Sequence, residues 1–317
     1  MRIVFCGSGE VAVPTMEALC LAGHEIRAVY TQPPRQAGRG GKLTSTPVDQ
    51  RASVMGLLVV QALNINAPEH LEVMRQADPQ LIVVVDFGQK VGQAVRDIAP
   101  LGAFNMHASL LPGLRGAAPI NWAIIRGLPA TGVTTFALVD KMDAGPVYLQ
   151  ESLAIDPLET AEELRHRLAR LGAEVVLKTV AGLEAGTLAA KEQDHSQATI
   201  APKLKKDDGI LNFAEAGQAL ANRIRGTWPW PGAHADFVHE GRPPVRVIFA
   251  RARALPMAGP NPAEPGTLAD DLAVNVSDGR LEVLELKVAG KRLMHWKDFV
   301  NGYRLAKGDR FVTCTEG

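Results

Sequence analysis

The chain has 317 residues, of which 46% are hydrophobic, and its acidic and basic side chains balance at 34 each. This length and a mean hydropathy of +0.01 predict a water-soluble protein with one large domain and one smaller domain. The neutral balance gives no overall positive field for a polyanion, and no apolar run is long enough to span a bilayer.

Cysteine usage indicates a reducing compartment. Cys6, Cys20 and Cys314 are far apart and form no Cys-x-x-Cys pair, which argues against a disulfide framework and against a structural zinc site. The apolar run 3–6 follows Met1 and Arg2 directly and is too short for a signal peptide. We therefore expect a cytoplasmic protein that uses no metal, and we expect a monomer.

Short apolar runs alternate with amphipathic segments through the first half of the chain. This alternation predicts βαβ units and hence a doubly wound, Rossmann-like, mainly parallel sheet. The predicted strands are 3–6, 25–30, 57–60, 81–85 and 103–106, and the predicted helices are 13–21, 48–55, 68–76 and 91–98. A helix at 117–126, strands at 133–139 and 147–155, and a helix at 160–185 are predicted to complete the domain.

The first predicted turn, residues 7–12, approximates a dinucleotide fingerprint, with Gly7, Gly9 and Ala12 between a strand and a helix. Such a site requires an acidic residue at the end of the second strand to hold the ribose hydroxyls. The chain has Tyr30-Thr31-Gln32-Pro33 there. The glycines are therefore better explained by a tight turn than by a dinucleotide.

Residues 32–47 form a long predicted loop that is rich in glycine and carries Arg35, Arg39 and Lys42. Loops of this length are uncommon unless they are functional or disordered. An ordinary solvated loop is the alternative.

Segment 104–122 contains the strongest chemical signal. Asn105 and His107 alternate in a short extended run, so both side chains project from one face of a strand. Asp143, in a glycine-containing turn after a later strand, could join them and set the protonation of the imidazole. It could instead only cap its own turn. No serine or cysteine stands beside His107 as an obvious nucleophile, so this set favours acyl transfer in which the substrate supplies the attacking group.

After Gly186 the pattern changes to short β-rich runs separated by glycine and proline, which predicts a small barrel or sandwich. We predict a catalytic domain at 1–187, a linker at 188–206 and a C-terminal β-barrel domain of the OB-like type at 207–317. The predicted strands are 237–240, 245–250, 266–269, 272–276 and 281–288.

The motif resembles the active-site signature of the 10-formyltetrahydrofolate-dependent formyltransferases. The resemblance rests on residues 105–112, on 115–119 and on Asp143 in its Asp-x-Gly turn. Segments 31–40, 46–48 and 228–232 are similar to the members that act on methionyl-tRNA. Segment 86–92 departs from the Ala-Tyr-Gly pattern that is common in the family.

The resemblance implies a role for each matching position. Asn105, His107 and Asp143 would be catalytic, and Arg39 and Lys42 would contact tRNA. It also implies initiator Met-tRNA as partner and 10-formyltetrahydrofolate as the co-substrate, which is released as tetrahydrofolate. The residues implied in folate binding are Phe87, Gly88, Ser109, Leu110, Leu111 and Pro112.

Two other functions fit parts of the pattern. A sugar-nucleotide formyltransferase would use the same cofactor, although the β-rich C-terminal domain and segment 228–232 favour tRNA. A non-catalytic folate-binding or RNA-binding module would not need Asn105, His107 and Asp143 together.

Overall fold

The computed structural model describes residues 1–37 and 41–314, which fall into two compact units. Unit 1 comprises Met1–Gly116, Thr131–Leu153 and Arg165–Ala201, and unit 2 comprises Ala117–Ala130, Ala154–Leu164 and Pro202–Gly317. The domain limits predicted from sequence stay a prediction. Residues 188–201, predicted as part of a linker, belong to unit 1.

Unit 1 is built on strands joined mostly by helices. Helix α6 begins in unit 2 and lies in unit 1 from Arg165 onward. The strands are β1 (Arg2–Gly7), β2 (Glu25–Thr31), β3 (Arg35–Ala37), β4 (Lys42–Thr44), β5 (Val59–Gln61), β6 (Leu81–Val85), β7 (Ala103–His107), β8 (Arg115–Gly116), β9 (Ala130–Ala137), β10 (Val147–Ala154) and β11 (Ile200–Ala201). The helices are α1 (Ala12–Leu21), α2 (Pro47–Val54), α3 (Pro68–Gln76), α4 (Gln93–Arg96) and α6 (Ala161–Glu184), with α5 (Pro119–Ile125) in unit 2.

Seven of these strands form one sheet in the order β10-β9-β7-β6-β1-β2-β5. β5, β2, β1, β6 and β7 pair in parallel, whereas β9 runs antiparallel to β7. All five residues of β6 are buried, as expected for a continuous apolar run in a parallel sheet that is covered on both faces. β7 therefore has a parallel neighbour on one side and an antiparallel neighbour on the other.

Unit 2 contains an antiparallel sheet in the order β14-β15-β13-β12-β17, with β16 pairing to β15. Isolated bridges join Thr267 to Arg310 and Leu268 to Val274, so the sheet is nearly closed into a barrel. The confirmed fold class is thus a mainly parallel doubly wound sheet and a small β-barrel. The strands are β12 (Ala233–Val238), β13 (Val245–Pro256), β14 (Val274–Val276), β15 (Gly279–Val288), β16 (Met294–His295) and β17 (Arg310–Val312), and the helices are α7 (Gly217–Thr227) and α8 (Trp296–Tyr303).

Two predictions of local structure are wrong. The predicted long loop 32–47 contains an antiparallel hairpin, since β3 pairs with β4. The predicted strand 266–269 makes only isolated bridges, through Thr267 and Leu268, and its first residue, Gly266, has φ +89°, which is outside the extended region of a strand.

Candidate active site

Asn105 and His107 project from the same face of β7, near the carboxyl end of the strand. Asn105 lies opposite Val84 of β6 and Phe136 of β9. Within the described part of the chain, Asn105 Oδ1 is buried and has no hydrogen-bond partner. A buried polar atom without a partner costs about 1–3 kcal/mol, so a ligand group that donates a hydrogen bond to this oxygen would relieve that cost.

His107 is 7% exposed, and the backbone holds one of its two ring nitrogens. Nε2 lies 2.9 Å from the carbonyl oxygen of Leu114. A carbonyl only accepts hydrogen bonds, so Nε2 carries the proton and the neutral ring keeps its lone pair on Nδ1. Nδ1 lies 3.8 Å from Asp143 Oδ2, beyond hydrogen-bond distance but close enough for the carboxylate to stabilise a positive charge on the ring. Nδ1 is therefore the atom that can exchange a proton.

Asp143 adopts the left-handed backbone conformation, with φ +50°, which aspartate tolerates better than most residues. Its side chain is 11% exposed, and Oδ2 accepts the backbone N–H of Gly116 at 2.8 Å. Gly116 itself has φ +118°, and an added Cβ would lie 2.6 Å from the Ala201 oxygen. The structure thus brings His107 and Asp143 together and orients the carboxylate with a backbone donor.

Three groups that hold this site were missed by sequence analysis. They are the Leu114 carbonyl, the Gly116 N–H and the amide side chain of Gln193, which donates to Asp143 O at 3.0 Å. The first two are backbone groups, which carry no signature of residue type. Gln193 lies 50 residues from Asp143 in a segment without periodicity, so no sequence signal links them.

Phe87 and Gly88 follow β6. Phe87 is 2% exposed, and its carbonyl accepts hydrogen bonds from Gln32 Nε2 at 2.8 Å and from Ser8 Oγ at 3.2 Å. Gly88 is exposed and has φ +73°. Of these two residues, Gly88 is therefore the one whose backbone remains open to a ligand.

The segment 109–112 is held as a tight turn. Ser109 is 1% exposed and its Oγ donates to the Gly113 carbonyl at 2.6 Å. Leu111 donates its N–H to Thr134 Oγ1 at 3.1 Å and accepts from Gln150 Nε2 at 2.7 Å. Leu110 and Pro112 keep partly exposed surface. The hydroxyl of Ser109 is thus committed to the turn itself.

Arg39 and Lys42 are the two basic residues expected to contact tRNA. Arg39 lies outside the described residues. Lys42 is in β4, where its backbone pairs with Ala37 of β3.

Asp86 directly follows β6 and also has a left-handed backbone, with φ +45°. The residue keeps exposed surface, but its carboxylate packs over Gly9, where an added Cβ would lie 2.6 Å from Asp86 Cγ. Desolvation raises the pKa of the Asp86 carboxyl to about 6, Arg165 opposes the rise, and Glu10 adds to it.

The raised pKa predicts a pH-dependent effect of Asp86→Asn. Between pH values of about 4 and about 6 the folded protein keeps a proton that the unfolded chain loses, so wild-type stability falls as pH rises through this window. Asparagine stays neutral. We expect the Tm of Asp86→Asn to match that of wild type at the acid end and to exceed it increasingly toward neutral pH. Thermal unfolding across the window measures this difference.

Asp78→Asn is the matched control, since Asp78 has the same φ of +45°. Asp78 pairs with Arg2 at 2.9 Å, so asparagine at this position should not raise the Tm above that of wild type. A pH-independent difference for Asp86→Asn would contradict the assignment of a raised pKa.

The first turn does not offer a phosphate site. The N–H groups of Ser8 and Gly9 both donate to the Asp86 carbonyl, at 3.1 and 3.2 Å. In a dinucleotide site such donors face the pyrophosphate. Here they are used within the chain, and a carboxylate lies over the turn, which repels an anion.

Residues 1–37 and 41–314 contain no group of three or more His, Cys, Asp or Glu side chains that could hold a metal ion. Over the same residues, no helix has the length and apolar character needed to cross a membrane.

Two family models and full-length relatives match the chain. The formyl transferase family matches residues 1–180, and the formyl transferase C-terminal domain matches residues 203–304. The chain is 43% identical over 312 residues to the methionyl-tRNA formyltransferase of Solibacter usitatus, covering 98% of each chain. It is 42% identical over 315 residues to the methionyl-tRNA formyltransferase of Koribacter versatilis, again covering 98% of each.

Solved structures share the fold at low sequence identity. The N-formyltransferase from Helicobacter canadensis, in complex with folinic acid and dTDP-3-aminofucose, superposes with a TM-score of 0.64 at 15% identity, covering 89% of this chain and 98% of that one. HypX from Aquifex aeolicus in complex with tetrahydrofolic acid gives a TM-score of 0.61 at 15% identity, covering 99% of this chain and 51% of that one. Both family matches and the full-length relatives therefore show that the chain belongs to the formyltransferase family.

Proposed function

We propose that this formyltransferase transfers the formyl group of 10-formyltetrahydrofolate to the α-amine of methionine on initiator tRNA. The observation that carries the proposal is the pairing of His107 with Asp143, with Asn105 on the same face of β7 as His107. The full-length similarity to methionyl-tRNA formyltransferases supports the choice of acceptor.

The attacking group is proposed to be the amine of the substrate. The Ser109 hydroxyl already donates to Gly113 O. Cys6 is fully buried in β1, and burial raises the pKa of its thiol far above the usual range, so it does not supply a thiolate. A direct attack by the substrate amine needs neither side chain.

The proposed reaction forms a bond between the amine nitrogen and the formyl carbon and breaks the bond from that carbon to N10. Negative charge develops on the formyl oxygen in the tetrahedral intermediate, and the Asn105 amide N–H stabilises it. His107 Nδ1 takes the proton that leaves the amine and returns a proton to N10 as tetrahydrofolate departs. Asp143 stabilises the positive charge on the ring between these two steps.

The co-substrate is proposed to lie along the loops that follow β6 and β7. Phe87, Gly88 and segment 109–112 would line its pterin site. Arg39 and Lys42 are proposed to bind tRNA phosphates through charge, and the C-terminal domain, residues 207–317, is proposed to bind tRNA.

A comparison of formyl acceptors tests the proposal. With 10-formyltetrahydrofolate as donor, we expect kcat/KM for Met-tRNA to exceed that for a UDP-amino sugar by at least about 100-fold, because only Met-tRNA offers contacts to the C-terminal domain. Hydrolysis of 10-formyltetrahydrofolate, with water as the acceptor, should be slow. Faster transfer to the sugar would identify a sugar-nucleotide formyltransferase, and folate binding without any transfer would identify a non-catalytic module.

A further inference from the structure

We infer that Gln193 is a positioning residue that holds Asp143 in the orientation needed by the His107–Asp143 pair. The inference rests on the proposed catalytic roles of those two residues. Gln193 lies outside the motif that carries the chemistry, in a segment expected from sequence to be a linker.

The amide of Gln193 donates to two backbone carbonyls of the Asp143 turn. The side chain is nearly buried, at 8% exposure. Nε2 donates to the carbonyl of Asp143 at 3.0 Å and to the carbonyl of Gly145 at 2.7 Å. Both hydrogens on Nε2 therefore form hydrogen bonds to the backbone of the turn.

The other end of the same amide is anchored to β8. Gln193 Oε1 accepts from Arg115 at 2.5 Å, and the same guanidinium nitrogen lies 2.9 Å from His195 Nδ1. Arg115 is 4% exposed, and the next residue, Gly116, donates its N–H to the Asp143 carboxylate. β8 thus holds the carboxylate directly and holds the backbone of the turn through Gln193.

The turn needs such an anchor because Asp143 has a left-handed backbone, a conformation that costs about 1–3 kcal/mol and persists only when its surroundings hold it. Hydrogen bonds to the carbonyl of the strained residue and to the carbonyl of Gly145 hold the backbone that directs the Asp143 side chain. A shift of about 1 Å in a catalytic group can cost on the order of 100-fold in rate. Loss of the Gln193 amide would therefore lower the rate of formyl transfer, although Gln193 itself does not contact the substrate.

The same segment also supports His107. Thr199 Oγ1 accepts the N–H of Leu114 at 2.8 Å, and the Leu114 carbonyl is the acceptor for His107 Nε2. Residues 193–201 consequently position both members of the pair, from one side through the Asp143 turn and from the other through Leu114.

Gln193→Met tests the inference, since methionine has a similar length and volume but neither donates nor accepts as an amide does. We expect kcat for formyl transfer to Met-tRNA to fall about 10- to 100-fold, with KM for Met-tRNA and for 10-formyltetrahydrofolate changed less than about threefold. Gln193→Asn retracts the amide by about one carbon–carbon bond, ~1.5 Å, and should give a smaller loss in the same direction. Folded fraction and Tm are measured for each variant.

A double-mutant cycle with Asp143→Asn separates positioning from a purely structural role. If Gln193 acts through Asp143, Gln193→Met should cost less than about threefold in kcat once Asp143 is already asparagine. Gln80→Met is the control, because the Gln80 side chain also forms a hydrogen bond to backbone, accepting the Arg2 N–H at 2.9 Å. Gln80 directly precedes β6, at the end of the sheet opposite to the proposed site. Its kcat should equal that of wild type.

The outcomes distinguish this inference from the proposed function. Additive losses in the cycle, or a lower Tm with normal kcat in both Gln193 variants, would overturn the positioning role alone. Normal kcat in Asp143→Asn would overturn the proposed catalytic role of Asp143, whatever the Gln193 variants do.

Discussion

Alanine at His107, and separately alanine at Asn105, should each lower kcat for formyl transfer by at least about 100-fold, which is the usual cost of removing a donor to a developing oxyanion or a general acid–base group. KM for 10-formyltetrahydrofolate should change little, because both groups are proposed to act on the transition state. His107→Ala removes Nδ1, whose lone pair is left available when Nε2 donates to Leu114. Steady-state kinetics with Met-tRNA measures both effects.

His166→Ala is a suitable control, since His166 is an exposed residue of α6 and should leave kcat unchanged. Near-normal turnover of either site variant would remove that residue from the mechanism. A rise in folate KM with kcat preserved would reassign it to binding.

We expect Gly145→Ala to destabilise the protein by about 2–4 kcal/mol and to lower kcat at the same time. An added Cβ would overlap the carbonyl oxygen of Ala137 and lie 3.0 Å from its carbonyl carbon, both of which are backbone of β9. Neither atom can move without disturbing the sheet. Relief of the overlap would displace the turn and with it Asp143. Urea unfolding and kcat of the folded protein measure the two effects.

Gly302→Ala is the matched control. Gly302 lies in α8, and an added Cβ would meet nothing within 4 Å. Alanine in a helix is favoured over glycine by about 1 kcal/mol, so this variant should be as stable as wild type or more stable. Wild-type stability in Gly145→Ala would show that the turn adapts to the methyl group.

The central strands and helices were predictable because their patterns are local. β6 and α3 have the predicted bounds, 81–85 and 68–76, since a five-residue apolar run and a proline-started amphipathic segment each define their own ends. α7 was missed although Leu220 and Ile224 have helical spacing and are fully buried. Its neighbours in sequence carry many glycines and prolines, which suggested strands and turns.

The candidate site also contains residues that a local sequence pattern reveals and groups that only the folded structure reveals. Asn105, His107 and Asp143 could be proposed together from the sequence, because acyl transfer of this type would depend on their side chains, and the structure brings His107 and Asp143 together. The Leu114 carbonyl could not, because any residue type offers the same oxygen. Gln193 could not either, because its role depends on a tertiary contact with the Asp143 turn rather than on a spacing along the chain.

The contact between the first turn and Asp86 lies where a doubly wound sheet usually binds its ligand. In a doubly wound sheet the winding reverses beside the first strand, here between β1 and β6, and the crevice at that reversal is the usual place for a ligand. The chain closes this crevice with its own hydrogen bonds from Ser8 and Gly9 to the Asp86 carbonyl. The proposed reaction centre lies one strand farther along, at β7, where parallel pairing gives way to antiparallel pairing. The proposed reaction centre is thereby displaced by one strand from the crevice where doubly wound sheets usually bind a ligand.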